Sequence, residues 1–176
     1  SEAEEAEQRV QKQLEQARQE LEQEEDEYQR LRQEELLFKI GEELENLARI
    51  HGEAMTQTRE LDAKREAGAR PSRAQRLALK RIAKDEAGIA ARAGQIADAL
   101  EAEQTVVFTE ALRSIASDLQ RLSVDLDESG DWESGERVQL LQSDVERDLQ
   151  QLIDALKAER QRREDENRED QGQKPP

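Results

Sequence analysis

The chain contains no cysteine, one histidine, one tryptophan, one tyrosine and two phenylalanines in 176 residues. Without cysteine there are no disulfides, no thiolate catalysis and no cysteine-ligated metal, although the compartment stays open. An aromatic content of 2% beside 40% charged residues is too poor for a thick globular core. Two outcomes remain, disorder or long helices, and the test between them is whether the apolar residues keep a period. Proline stands only at Pro71, Pro175 and Pro176, so residues 1–70 and 72–174 contain no proline break. No apolar run approaches the ~18 residues of a membrane span. No alternating β-branched run suggests a strand, because Thr105-Val106-Val107-Phe108 lies inside a helical period. The glycines are scattered and form no phosphate-binding loop.

What is present is a helix-forming vocabulary of Ala, Glu, Leu, Gln and Arg, set in repeating order. Ala3, Val10, Leu14, Ala17, Leu21, Tyr28 and Leu31 mark a heptad stripe, with Glu24 an acid on it. The stripe shifts register at Leu36-Leu37 and resumes as Ile40, Leu44, Leu47 and His51, a stutter that alters supercoiling without ending a helix. Gly41 and Gly52 each cost about 1 kcal/mol against Ala, which so long a pattern tolerates. The first helix is therefore predicted over about 3–67. Gly68 suits a left-handed position, Pro71 stops the helix, and Ser72 with Gln75 spells a capping box for the next. The second helix is predicted over about 72–126, with a one-residue register shift near 103–105 as the place for a kink or interruption. Residues 127–135 are rich in turn formers. A third helix follows on Val138, Leu141, Val145, Leu149, Leu152 and Leu156, predicted over about 134–158. Residues 159–176 carry almost no apolar side chain and are predicted to be a disordered tail.

Helices joined by short turns pack as antiparallel neighbours. The predicted fold is all-α: an elongated antiparallel coiled-coil hairpin, with the third helix making a three-helix bundle at one end, in a single domain over 1–158. In that arrangement residue x of the first helix faces about 140 − x, and the second turn lies beside residue ~10. The stripe near Leu36 to Ile50 then has one partner helix and stays partly exposed, which favours a homodimer.

The formal net charge is −16, yet residues 70–84 carry six bases and no acid. These are Arg70, Arg73, Arg76, Lys80, Arg81 and Lys84. Residues 1–35 carry a net −8, and so do residues 117–176. The simplest reading of the block is a solvated helix face. The functional reading is a docking surface for an acidic protein, the acidic part of a second copy or an anionic membrane. Nucleic acid is disfavoured, because the block lacks an aromatic for base stacking and the acidic remainder repels a polyanion.

No catalytic constellation is visible. His51 is predicted to be a packing residue on the core stripe. A Glu-x-x-His metal motif would need an acid at position 48, which is Ala. Glu42, Glu43 and Glu45 are ordinary helix-surface carboxylates. Asp125 to Asp131 has a faint calcium-loop look, but its acid spacing fits a capped turn better. Trp132, in the same turn, is predicted to plug the bundle end, the alternative being an exposed partner anchor. No cofactor and no metal are expected.

Leu36-Leu37-Phe38-Lys39-Ile40, Thr58-Arg59-Glu60-Leu61-Asp62 and the Gln-rich stretch Leu140 to Leu156 resemble coiled-coil regions of uncharacterised bacterial envelope-associated proteins. The likeness spans residues 36–156. It implies a bacterial, extracytoplasmic setting and a chain that follows a membrane anchor. The start at Ser1 without methionine carries the matching expectation of a processed or excised piece. The function expected is a non-enzymatic scaffold or spacer that joins proteins, with docking through the basic block as the alternative.

Overall fold

The period of the apolar residues resolves as helix throughout. The structure is a computed structural model that describes residues 1–103 and 105–172, and it shows no strand among them. Helix α1 runs Glu2–Ala63, α2 Arg73–Ala102, α3 Val106–Leu126 and α4 Glu136–Asp170, with a 3₁₀ turn at Glu128–Gly130. The chain divides into two units, residues 1–38 and 39–176.

The first unit is helical from Glu2 to its end. Every residue from Ser1 to Tyr28 and Gln29 is exposed, and Leu37 is the one buried side chain of the unit. The predicted stripe forms, but it meets water: Val10 is 54% exposed, Leu14 65%, Leu21 66% and Tyr28 64%. The helix is held locally by Arg18–Glu22 and Arg30–Glu27 pairs, each a weak surface interaction.

The second unit is a bundle of four helical segments. The α1–α2 hairpin forms as predicted. Glu43 pairs with Arg92, and His51 meets Glu86, so the two helices run antiparallel with positions summing to about 136. Ser72 and Gln75 make the predicted capping box, and Gly68 takes a left-handed φ of 75°. Helix α1 nevertheless ends at Ala63, so Gly68 lies within the connecting loop rather than at the helix end.

The segment 72–126 is two helices, not one. The Arg113 guanidinium donates to Asp98 at 3.0 Å and to Glu101 at 2.6 Å. In an unbroken helix Asp98 and Arg113 would stand about 22 Å apart at 1.5 Å per residue. Helix α2 ends at Ala102 and α3 starts at Val106, and Thr105 donates both its backbone N–H and its hydroxyl to the Leu100 carbonyl. Folding back lets Leu112, Ile115, Leu119, Leu122 and Leu126 cover a face of α2 rich in small residues, with Ala83, Ala90, Ala93 and Ala97 all buried. Small side chains permit close helix approach and so favour this packing over a longer rod.

The reversal moves the third predicted helix. Helix α4 lies antiparallel to α1, with Thr58 to Gln142 at 3.0 Å and Glu45 to Lys157 at 2.9 Å. The second turn therefore sits beside residues 62–65, where Asp62 accepts from Ser134 at 2.8 Å, and not beside residue ~10. Both α2 and α4 meet α1 where the sequence pattern left the seam half open, and Ile40, Leu44 and Leu47 are buried. These three side chains are thus covered within the chain itself.

Helix α4 also outlasts its apolar stripe. Residues 159–170, predicted as part of a disordered tail, are helical. Ion pairs at i,i+3 and i,i+4 join Glu159 to Arg162 and Arg163, and Arg162 to Glu166. Such pairs support a helix without burial. Residues 173–176 lie outside the described residues.

The 127–135 turn is built by backbone. Asp127 accepts from the Glu128 N–H through its side chain, and Asp131 and Trp132 both take left-handed φ values of 58° and 57°. A Cβ on Gly130 would stand 2.4 Å from the Asp125 Cα, so only glycine fits there. Trp132 is half-buried, and its carbonyl accepts from Arg65. Asp125 pairs with Arg137 at 3.2 Å, the role of a helix-linking acid.

Candidate functional site

The six bases of residues 70–84 begin in the loop and continue over the first three turns of α2. The capping box fixes where that helix starts and so sets their phase. Arg73, Lys80 and Lys84 fall at i, i+7 and i+11 on one outward face, with Leu77 at i+4 among them. Arg76 and Arg81 flank the face. Arg76 is half-buried and the other five are exposed, as is Leu77 at 59%. The opposite face of the same turns holds Leu79, Ile82 and Ala83 in the core. None of the six basic side chains makes an ion pair or hydrogen bond with a described residue. Five of the six predicted residues thus stand on the first three turns of α2, and Arg70 lies in the loop before it. Beside it runs a groove of about 350 Å³ between α1 and α2, lined by Gln57, Leu61, Lys64, Ala78 and Arg81 among others.

A second polar feature lies in the core. His51 is fully buried; its Nδ1 lies 2.8 Å from Glu86 Oε1 and its Nε2 2.8 Å from the Gln142 carbonyl. A carbonyl only accepts, so Nε2 carries a proton and donates. The Gln142 amide donates to Thr58 Oγ1 at 3.0 Å, and Thr58 donates to the Ala54 carbonyl at 2.7 Å. Burial alone would lower the His51 pKa. The hydrogen bond and charge of Glu86, the Gln142 carbonyl and the charge of Glu146 outweigh it, and the net shift is upward. Below its raised pKa His51 is an imidazolium facing the buried Glu86 carboxyl group, and its two ring nitrogens tie α1, α2 and α4 together. Glu86 Oε2 and Gln142 Oε1 remain buried without a hydrogen bond.

The packing role predicted for His51 is the one its burial fits, but the pattern of apolar residues did not name its partners. The signal was present: Glu86 interrupts the stripe of Leu79, Ile82 and Ile89, and Gln142 falls at core spacing between Val138 and Val145. Glu43 and Glu45, near His51 in sequence, pair outward with Arg92 and Lys157. Among the described residues no three His, Asp or Glu side chains are grouped to hold a metal ion. Nor is any helix among them long and apolar enough to cross a membrane.

No protein-family model, curated protein or solved structure matches this chain.

Proposed function

We propose that the chain is a non-enzymatic helical scaffold that joins proteins through the exposed stripe of its first 38 residues. The observation that carries this reading is the heptad spacing of Val10, Leu14, Ala17, Leu21, Tyr28 and Leu31 on a helix whose apolar face is left in water. A 3–4 repeat of apolar side chains is the pattern that a partner helix covers. The envelope setting and a membrane anchor on a longer chain are supported by the sequence resemblance alone.

Photo-activatable residues at Leu14 and Leu21 test the reading, with Glu15 and Glu22, which fall off the stripe, as controls. Cross-linked protein is expected from the stripe positions and not from the controls. Absence of any protein product from Leu14 and Leu21, to a second copy or to any other protein, would contradict it.

A second reading is supported by the six unpaired bases around Leu77: the chain is a binding module whose basic face docks on an acidic protein or an anionic membrane surface. Nucleic acid fits less well, for want of aromatic side chains on that face.

A further inference from the structure

Two surfaces of this chain are complementary in charge, and each is exposed among the described residues. One is the stripe helix of residues 1–35, net −8 and exposed through residue 29. Glu20, Glu24 and Glu25 lie on or beside its stripe, and none of them is paired with a described residue. The other is the α2 face of Arg73, Lys80 and Lys84, without an acid between residues 70 and 84.

We infer that the stripe helix of one copy docks on the basic α2 face of a second copy. The lengths agree: Leu14 to Glu25 and Arg73 to Lys84 each span eleven steps, about 17 Å at 1.5 Å per residue. The apolar parts agree as well. Leu14, Ala17, Arg18 and Leu21 bound a hole at i, i+3, i+4 and i+7, and the small Ala17 leaves room in it for one side chain. Leu77 is the exposed knob at the centre of the basic face. The acids at the rim of the hole then meet the bases around the knob, where opposite potentials favour encounter and set the register. Pairing of the stripe with an identical stripe lacks this advantage. It would bring two helices of net −8 together, and in parallel register it would place Glu24 against Glu24 in the seam. The contact joins unlike surfaces, so each copy gives one and receives one. It either closes reciprocally as a dimer or adds further copies.

This inference rests on the scaffold reading and names its partner. It is tested with two full-length variants. The first reverses the face (Arg73→Glu, Lys80→Glu, Lys84→Glu), and the second reverses the helix (Glu20→Lys, Glu24→Lys, Glu25→Lys). All six positions are exposed, and circular dichroism checks that both variants keep the helical fold. At low salt the wild type is expected to show a mass above 20.2 kDa that rises with concentration and falls as salt is added. Each variant alone is expected to associate roughly 100-fold more weakly. An equimolar mixture of the two is expected to regain association, because each then supplies the charge the other needs. A wild-type mass of 20.2 kDa at every concentration would overturn the inference. So would association that survives both reversals, or variants that lose it and do not recover on mixing. Binding of the wild type to phosphatidylserine vesicles without self-association would assign the face to lipid and overturn it also. If the reversals change nothing while Leu14→Asp with Leu21→Asp abolishes association, the inference fails and the scaffold reading stands. If stripe cross-links are absent as well, both fail.

Discussion

Replacing His51 by Leu should be among the most damaging single changes in the bundle. It removes one member of a fully buried ion pair and leaves the Glu86 carboxylate without a counter-charge. The Gln142 carbonyl also loses its donor, while the Gln142–Thr58 bond is left in place. Breaking a buried pair from one side costs about 3–5 kcal/mol. With a urea m-value of about 2 kcal/mol per M, the midpoint should fall by roughly 1.5–2.5 M. The double variant His51→Leu with Glu86→Leu removes both charges together and should be more stable than His51→Leu alone. The pH dependence carries a definite sign. The His51 pKa is raised in the folded state, so the folded chain holds this proton more tightly than the unfolded one. Its stabilisation is complete below about pH 6.5, the unfolded value, and is lost as pH rises through the folded value. The groups that set it are Glu86 on α2 and Glu146 on α4. Urea titrations at pH 6 and above should show a decline in wild-type stability that the double variant His51→Leu with Glu86→Leu lacks. A midpoint shift below about 0.5 M at pH 6 for His51→Leu, or parallel pH profiles for the wild type and the double variant, would refute the argument.

Three further outcomes follow from local geometry. Gly130→Ala drives a methyl into the Asp125 backbone and should cost about 2–3 kcal/mol, read as a lowered thermal midpoint. Ser72→Ala removes half of the capping box and should cost about 1 kcal/mol, with Ser72→Asp retaining most of the stability. Arg162 and then Arg163 hold the Glu159 carboxyl down at about 2, so its support for the end of α4 is present above about pH 4.5 and lost as pH falls towards 2. Amides of residues 159–170 should therefore be less protected, relative to the intrinsic rate, at pH 3 than at pH 6, and Glu159→Gln should show that lower protection already at pH 6.

The sequence pattern carried the helical class, the α1–α2 hairpin and the cap of α2, because those depend on local signals: a 3–4 period, a proline and a Ser-x-x-Gln box. The reversal at 103–105 was harder to read. No glycine or proline marks it, and the apolar period runs up to it and away from it with a shift of only one residue. What decides it is tertiary: α3 packs back on α2, where the alanines of one helix and the leucines of the other are buried, and no local rule sees that. The end of α4 was misplaced for a related reason. Apolar periodicity reports burial, and residues 159–170 are helical through exposed ion pairs instead. The cluster of bases at 70–84 was legible as charge, which needs no tertiary information. That its side chains lack partners required the structure, because acids elsewhere in an acidic chain were free to meet them. The His51 network fell between these cases. Glu86 and Gln142 announce themselves as polar interruptions of apolar stripes, but only the register of three helices shows that they meet.

The central claim is that the exposed stripe is a contact surface for a second copy of the chain. Sedimentation equilibrium of the wild type and of Leu14→Asp with Leu21→Asp, at low salt and over a wide concentration range, tests it most directly. The account predicts a wild-type mass above 20.2 kDa that grows with concentration, and a double variant that stays at 20.2 kDa. Equal masses for the two proteins at every concentration would contradict it.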